Sequence, residues 1–569
     1  MRLSDIRAKV VGATAFIAQV CRDLGIADKV NRMVEWDQKQ WKLSPGTRVV
    51  ALIINIICHR QPLYRVWEFY EHLDLGLLFD QPVTLEDLND DGFARTLDRL
   101  HASGELRRLV HTVALAAVRR LPLGIRSVHA DTTSISLQGE FEGTESDRDF
   151  QRENPDRPLL NITHGYSKDH RPDLKQFIYG LVVSKEGLPL LATVNDGNTS
   201  DKKWNLEVIR EIQQSFLDPV ELLYVADSAL ITRENLEEMA RAGLRFVSRL
   251  PETYKVAGEF KERAFEENRW ELIGRLAESP HGAVYRSCSY TGELYGRTYR
   301  FIVVHSSSKD KRSLKALEKR IDEERTALEA AVAQLGKERF ACREDAQKAW
   351  DQFADERRPR YHRLEGEVVA EEVVKRPPGR PRRDAPVPTI TRYAIRAWVL
   401  PPTEEQRQME EAKASTFVLI TTEPEDVYSD AAILEEYKLQ TAVETRFRNL
   451  KSRPNIVDNI YVKSLRRAEA LAYVFLLALI VASYIEIKIR QELAVRQRPF
   501  LVPGNRWTQR PTMTMIFDVL SSVCILQIPS ERGLRRFLPD DTDPRVYELL
   551  DLMGFDHRVY TRPPSAGLK

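Results

Sequence analysis

The sequence predicts a multidomain α/β chain: a mixed sheet with helices, interrupted by an insertion domain and preceded by a helical N-terminal domain. Three observations carry the prediction. Apolar residues recur at three- and four-residue spacings across residues 1–118, which is the period of an amphipathic helix. Residues 119–250 switch to short β-rich runs punctuated by turn residues, with one helix among them. A charged helical stretch and a basic proline-rich run then separate those strands from a strong helix that opens near Ser429.

Composition bounds what such a chain does. Its 569 residues correspond to about three to four domains of roughly 150 residues each. Hydrophobic residues at 43% and charged residues at 30% are enough to build cores and too apolar for wholesale disorder. Lys and Arg total 85 against 84 Asp and Glu, a net charge of +1, so a uniformly basic nucleic-acid coat is excluded. Any DNA contact must come from local concentrations of charge. The five cysteines form no Cys-x-x-Cys pair, which argues against a zinc ribbon or disulfide framework and for a reducing, cytoplasmic setting. The N-terminus has no cleavable leader pattern. The most apolar run, Ala470 to Ile485, is 16 residues long, short of the roughly 20 needed to cross a bilayer, and is expected to be a helix buried on all sides. No membrane is expected as a partner.

Taken in order, residues 1–118 form the helical domain, with turns at Ser44-Pro45-Gly46 and Asn89-Asp90-Asp91-Gly92. The first part of the sheet domain, 119–250, contains RSVHADTTSISL from Arg126, the strand pair QFIYGLVVS and LPLLATV around Lys185-Glu186-Gly187, the buried strand VELLYVAD ending at Asp227, and LRFVSRL from Leu244. The insertion, 251–435, opens at Pro251 with a further hairpin near Val284 to His305. It continues as a charged helical stretch whose apolar seam is broken by Glu324, expected to be a helical hairpin, and then as the basic linker KRPPGRPRR from Lys375. Residues 436–490 return to the core with two helices, and 491–569 form a C-terminal tail region.

Three carboxylates stand out by position. Asp131 sits inside a strand, where an unpaired carboxylate is costly to bury. Asp227 ends an apolar strand, the usual edge for a site in an α/β sheet. Glu444 lies on a helix among Tyr437, Arg446, Arg448 and Lys451. Two strand-borne aspartates under a helical glutamate make an oxygen-only cage suited to two Mg²⁺ or Mn²⁺ ions. Read separately, the same residues are a turn cap, a helix cap and an Arg448 partner. His129 is read as a packing residue on the strand face opposite Asp131. Between Gln440 and Arg467 seven cations (Arg446, Arg448, Lys451, Arg453, Lys463, Arg466, Arg467) stand against two acids, an excess read as a phosphate-binding surface. Arg380 and Arg382 on the extended linker suit an A·T-rich minor groove. Lys168 and Arg171 in GYSKDHRPD are further backbone-contact candidates. A P-loop and a Gly-x-Ser-x-Gly elbow are both missing from the sequence.

At HADTTSISLQGEF, HGYSKDHRPDLKQF, DGNTSD, VADSALITRENL and YKLQTAVETRFRNLKS the chain resembles the DDE-type insertion-sequence transposases of bacteria and archaea, in the group with a long insertion before the final Glu. Weaker similarity extends through PLYRVWEFY and LNDDGFARTLDRL. The resemblance implies an RNase H-like core with Asp131, Asp227 and Glu444 as its metal-binding triad. It implies cleavage at inverted-repeat ends, transfer of 3′-hydroxyls into target double-stranded DNA, and a homo-oligomer that pairs the ends. The group's last-helix signature, Tyr-x₂-Arg-x₃-Glu-x₆-Lys, is met by Tyr437, Glu444 and Lys451, while Gln440 replaces the Arg. That substitution removes a cation from the expected DNA-end contact and leaves the metal site alone. Two alternatives share these motifs: an RNase H-like nuclease that never joins ends, and an inactive DNA-binding relative.

Overall fold

The computed structural model describes residues 6–59, 61–215, 222–276, 281–308, 311–374, 389–451, 462–531 and 533–564. The chain divides into two compact units, Met1–Ser248 with Ile433–Lys569, and Arg249–Ala432.

The first unit begins with strand β1 (Arg7–Val10) and the helices Thr14–Asp23, Ile26–Met33 and Pro45–Cys58. Ser44 caps the third of these by accepting the Thr47 N–H at 3.1 Å, and Pro45 fills the first helical position, where its missing N–H costs nothing. Asn89 caps Asp90–Ala102 in the same manner, through the Gly92 N–H at 2.7 Å. Leu106–Arg120 follows, burying Leu109, Val110, Val113 and Ala117 along one stripe.

After it the period changes to that of strands. β2 (Ser127–Leu137), β3 (Lys175–Ser184), β4 (Pro189–Asn195), β5 (Leu223–Ala226) and β6 (Arg245–Arg249) lie side by side in the order β4-β3-β2-β5-β6. β3 is antiparallel to β2 and β4, whereas β5 runs parallel to β2 and β6 parallel to β5. This is the RNase H-like mixed sheet.

Helices cover both of its faces, which is why β3 and β5 read as almost continuously apolar. On one face lies helix Asp201–Ser215: Asn205 accepts the Tyr224 hydroxyl at 2.7 Å, and Trp204 donates to Thr193 Oγ1 at 2.8 Å. Trp204 comes so close to the sheet that a Cβ on Gly180 would lie 2.1 Å from the indole nitrogen, so only glycine fits there. On the other face lies helix Leu465–Arg496, whose Ala472 carbonyl accepts the Tyr179 hydroxyl at 2.9 Å. At 32 residues this helix is longer than its apolar run and is long and apolar enough to cross a bilayer, yet 94% of its most apolar window is buried inside the fold. It is the core helix of the unit.

The second unit carries helix Lys255–Glu267 and the strands β7 (Glu271–Arg275), β8 (Val284–Leu294) and β9 (Arg297–Ser306). Helices Lys311–Leu335 and Arg343–Arg357 follow, then β10 (Arg363–Val374), β11 (Thr389–Leu400), helix Glu404–Ala414 and β12 (Thr416–Thr421). β12, β9, β8 and β7 are adjacent and antiparallel. β10 and β11 form a separate ribbon, paired from Arg363↔Leu400 to Val374↔Thr389. Leu335, Ala346 and Ile395 make a small core there with Trp350 and Phe353. Glu324 interrupts the helical seam because its carboxylate is used elsewhere, accepting the N–H groups of Arg360, Tyr361 and His362 at 2.7, 2.9 and 3.0 Å. The linker KRPPGRPRR, with Arg380 and Arg382, lies outside the described residues.

The chain returns through helices Asp430–Lys438 and Thr441–Lys451 to Leu465–Arg496. Beyond these come β13 (Phe500–Val502), β14 (Arg506–Thr508), helix Met513–Leu520, β15 (Cys524–Ser530), β16 (Gly533–Phe537) and helix Pro544–Met553. β15 pairs with β1, Arg536 pairs with buried Asp74, and the Tyr560 hydroxyl reaches the Gly12 carbonyl at 3.1 Å. The C-terminal segment is therefore part of the N-terminal helical layer.

One buried acid ties two helices of the first unit together, Glu145–Glu153 and Leu465–Arg496. Asp147, fully buried, completes a capping box with Thr144 and accepts Ser464 Oγ at 2.7 Å, the Leu465 N–H at 3.1 Å and Arg466 Nε at 3.0 Å. Burial alone would raise its carboxyl; hydrogen bonds from Thr144, Ser464 and Arg466 outweigh that and hold it well below the ordinary 3.8. A depressed folded-state value means stability that is present above about pH 4 and lost as the pH falls below it. Asp147→Asn is expected to cost about 2–3 kcal/mol at neutral pH, in urea titrations. The gap to the parent chain should narrow below pH 4; a gap that stays constant there contradicts the assignment.

Candidate active site

Strand register brings the first two acids together. β2 and β5 are parallel with Ala130 level with Ala226, so Asp131 and Asp227 come next on strands about 4.8 Å apart. Asp227 caps the turn after β5, its Oδ1 accepting the Ala229 N–H at 3.0 Å, while Ser248 Oγ donates to its carbonyl at 2.7 Å. Asp131 accepts its neighbour's N–H, that of Thr132, at 2.7 Å.

The two carboxylates are electrostatically strained. Burial raises Asp131, the Lys168 charge opposes it and the Asp227 charge adds to it, leaving the carboxyl pushed up to about 6. Burial raises Asp227 as well, with Asp201 adding to the effect. Oxygen donors that repel one another in this way are stabilised by a hard divalent cation, so this donor set fits Mg²⁺ or Mn²⁺.

Alternation along β2 decides what faces them. Thr132 points toward helix Asp201–Ser215, since its hydroxyl bonds Asp201. His129, Asp131 and Thr133 share the other face. This corrects the sequence reading of His129, because two residues along a strand return to the same face. The imidazole is fully buried, pushed down to about 4 by that burial, and its Nε2 lies 3.8 Å from Glu436 on helix Asp430–Lys438. Tyr179, paired with Thr133, reaches helix Leu465–Arg496 from the same face.

Glu444 is on helix Thr441–Lys451, which packs against β2 and β3. Its carboxylate is exposed and takes no ion-pair or hydrogen-bond partner among the described residues, Arg448 included. Two positions on, roughly 200° around the helix, Arg446 points inward. Its Nε donates to the Gly187 carbonyl at 2.6 Å, and its Nη2 lies 3.2 Å from buried Glu486. Arg446 thereby fixes the helix rotation that turns Glu444 outward. Among the described residues no three acidic, histidine or cysteine side chains converge on one ion-sized point. Asp131, Asp227 and Asp201 gather around Lys168, and the Glu444 carboxylate is not among them.

The basic surface expected after Gln440 is largely neutralised by acids far away in sequence. Arg446 is buried against Glu486 and is not a DNA contact; Lys451 pairs with Asp169 at 2.7 Å, Arg466 with Asp147 at 3.0 Å and Arg467 with Asp98 at 2.8 Å. Arg448 and Lys463 remain exposed, Tyr437 and Gln440 are half-buried, and Arg453 lies outside the described residues. Arg171 is exposed but closed on Asp173 at 2.8 Å. Lys168, expected to face a phosphate, instead bonds the Asp131 cluster. Asp201 is the site residue that the sequence reading missed; it ends DGNTSD and begins a helix, and that acid within a recognised motif was the available signal.

Residues 130–481 match the family model described as "Transposase DDE domain", and residues 6–115 match one described as "Domain of unknown function (DUF4277)". No curated protein matches the chain.

Proposed function

This chain belongs to the transposase DDE-domain family, and from that premise we propose that it cuts DNA at the inverted-repeat ends of its element and joins the exposed 3′-hydroxyls to target DNA. Asp131, Asp227 and Glu444 are the proposed metal-binding residues. The observation that carries this reading is the register of β2 and β5, which sets two half-buried aspartates side by side, with the Glu444 helix packed against β2. Two divalent ions, Mg²⁺ or Mn²⁺, would supply Lewis-acid polarisation of the phosphodiester when bound. The chain's own part is to hold the carboxylates in place: β2 and the Ala229 N–H for the aspartates, Arg446 for the glutamate's helix.

DNA is the partner, in the form of terminal repeats and target duplex, and a homo-oligomer pairs the two ends. Arg448, Lys451, Arg453, Arg171, Tyr437 and Gln440 are proposed at the DNA-end contact, and Arg380 and Arg382 in a minor groove. For Lys451 and Arg171 a phosphate must replace Asp169 and Asp173. The helical N-terminal domain serves end recognition or assembly, and the insertion shapes the DNA path.

The test is labelled DNA bearing the element's ends, incubated with the protein and Mg²⁺. End-specific nicks together with joined products are the expected result. Cuts without joining would identify a nuclease, and a shifted band alone a DNA-binding relative; either overturns the proposal.

A further inference from the structure

Lys168 has four partners at the acidic cluster. Its ammonium donates to the Thr132 carbonyl at 2.8 Å and to Thr132 Oγ1 at 2.9 Å, and lies 3.1 Å from Asp201 Oδ2 and 3.4 Å from Asp131 Oδ1. The side chain is 28% exposed. Its backbone is pinned as well, the Lys168 N–H donating to Ser134 Oγ at 3.0 Å. Parallel pairing with β5 stops at Ala130, one residue before Asp131, and Lys168 meets β2 just beyond that point. Asp201 is held toward the lysine by the Thr132 hydroxyl.

A lysine shared among acids in this way is a cation built into the chain. Burial disfavours its charge, and the charges of Asp131, Asp201 and Asp227 outweigh that and keep the ammonium firmly protonated. Ordinary phosphate contacts are made by lysines extended from a surface, whereas this one is committed to the oxygen that a metal ligand must offer.

We propose that Lys168 is a positioning residue that competes with the divalent ion for Asp131, with Asp201 and Thr132 as the receptors that hold its ammonium beside the site. The inference rests on Asp131 as a metal ligand. It makes metal occupancy dependent on moving a tethered cation, so that ion binding and the conformation of the 165–173 loop are coupled. The same ammonium, once displaced, stays within the loop and close to the acids it has left.

The experiment measures Mn²⁺ binding to the full chain without DNA, by the electron paramagnetic resonance signal of free Mn²⁺, alongside the Mn²⁺-induced rise in melting temperature. Lys168→Met keeps the aliphatic stem and removes the charge. It should bind Mn²⁺ about tenfold more tightly than the parent chain and show the larger thermal shift. Lys168→Arg keeps the charge and should show no tightening. Unchanged or weaker binding by a folded Lys168→Met chain overturns the proposal, and Lys168→Ala repeats the measurement should the methionine variant misfold. Asp131→Asn separates the two levels of inference. Loss of Mn²⁺ binding there with no effect of Lys168→Met rejects the competition alone, whereas retained binding rejects the metal-site reading and the competition together.

Discussion

Glu444→Gln abolishes cleavage and joining at the element's ends, with a rate loss of at least about a thousandfold, and leaves DNA affinity within about threefold of the parent. The substitution is nearly isosteric and removes only the negative charge. Because Glu444 is exposed and without a partner among the described residues, nothing in the fold depends on that charge. Its melting temperature should stay within about a degree or two, since surface substitutions away from special features change stability by about half a kcal/mol or less. The combination discriminates: a purely structural glutamate would lose stability and activity together. Asp131→Asn should also lose cleavage but differ in stability, because its carboxyl is raised by burial. A raised value means that the folded state holds the proton more tightly than the unfolded one, so the ionised side chain weakens the fold as pH rises through 4 to 6. The neutral amide removes that penalty, provided its new N–H groups find acceptors. Full residual cleavage by Glu444→Gln in the end-bearing DNA assay would remove the residue from the site.

The order of elements was legible in the sequence because it rests on period. HADTTSISL and LLYVAD alternate or run apolar over strand lengths, and their pairing follows once both must be buried under helices. Acids at strand positions are readable for the same reason, since a carboxylate in an apolar run needs a cause. The basic stretch after Gln440 was misread because a window along the chain counts only local charge. Asp98, Asp147 and Asp169 lie hundreds of positions away, and only the fold brings them to Arg467, Arg466 and Lys451. Lys168 was read as a backbone contact for a related reason: a polar loop rich in Lys, Arg and Asp looks like a solvated connection until Thr132, Asp131 and Asp201 are seen beside it. Arg446 differs from Arg448 by two residues along the helix, about 200° of rotation. No property of either arginine alone says which one is inside.

Arg446→Met should be the most destabilising of these substitutions, costing about 3–5 kcal/mol in urea titrations, the usual range when one partner of a buried pair is removed. Glu486 keeps Arg490 at 2.8 Å and the Met513 N–H at 3.2 Å, which moderates the loss of its third partner. The Gly187 carbonyl has no such substitute. That glycine sits at φ +90 in the β3–β4 turn, and a Cβ there would lie 2.8 Å from Arg446 Nε, so the turn is shaped around the guanidinium. Arg446→Lys retains the charge but not the fork, and should fall between the methionine variant and the parent. Adding Glu486→Gln to Arg446→Met should cost less than the sum of the single changes, by about 1–3 kcal/mol, because both substitutions remove the same Arg446–Glu486 interaction, which can be lost only once. Strict additivity would mean that the pair is incidental. The catalytic consequence separates from stability when cleavage is measured at a temperature where both chains are folded. A helix released from the β3–β4 turn no longer fixes the direction of Glu444, so cleavage per folded molecule should still fall, whereas DNA affinity should not, since the buried guanidinium has no access to a phosphate.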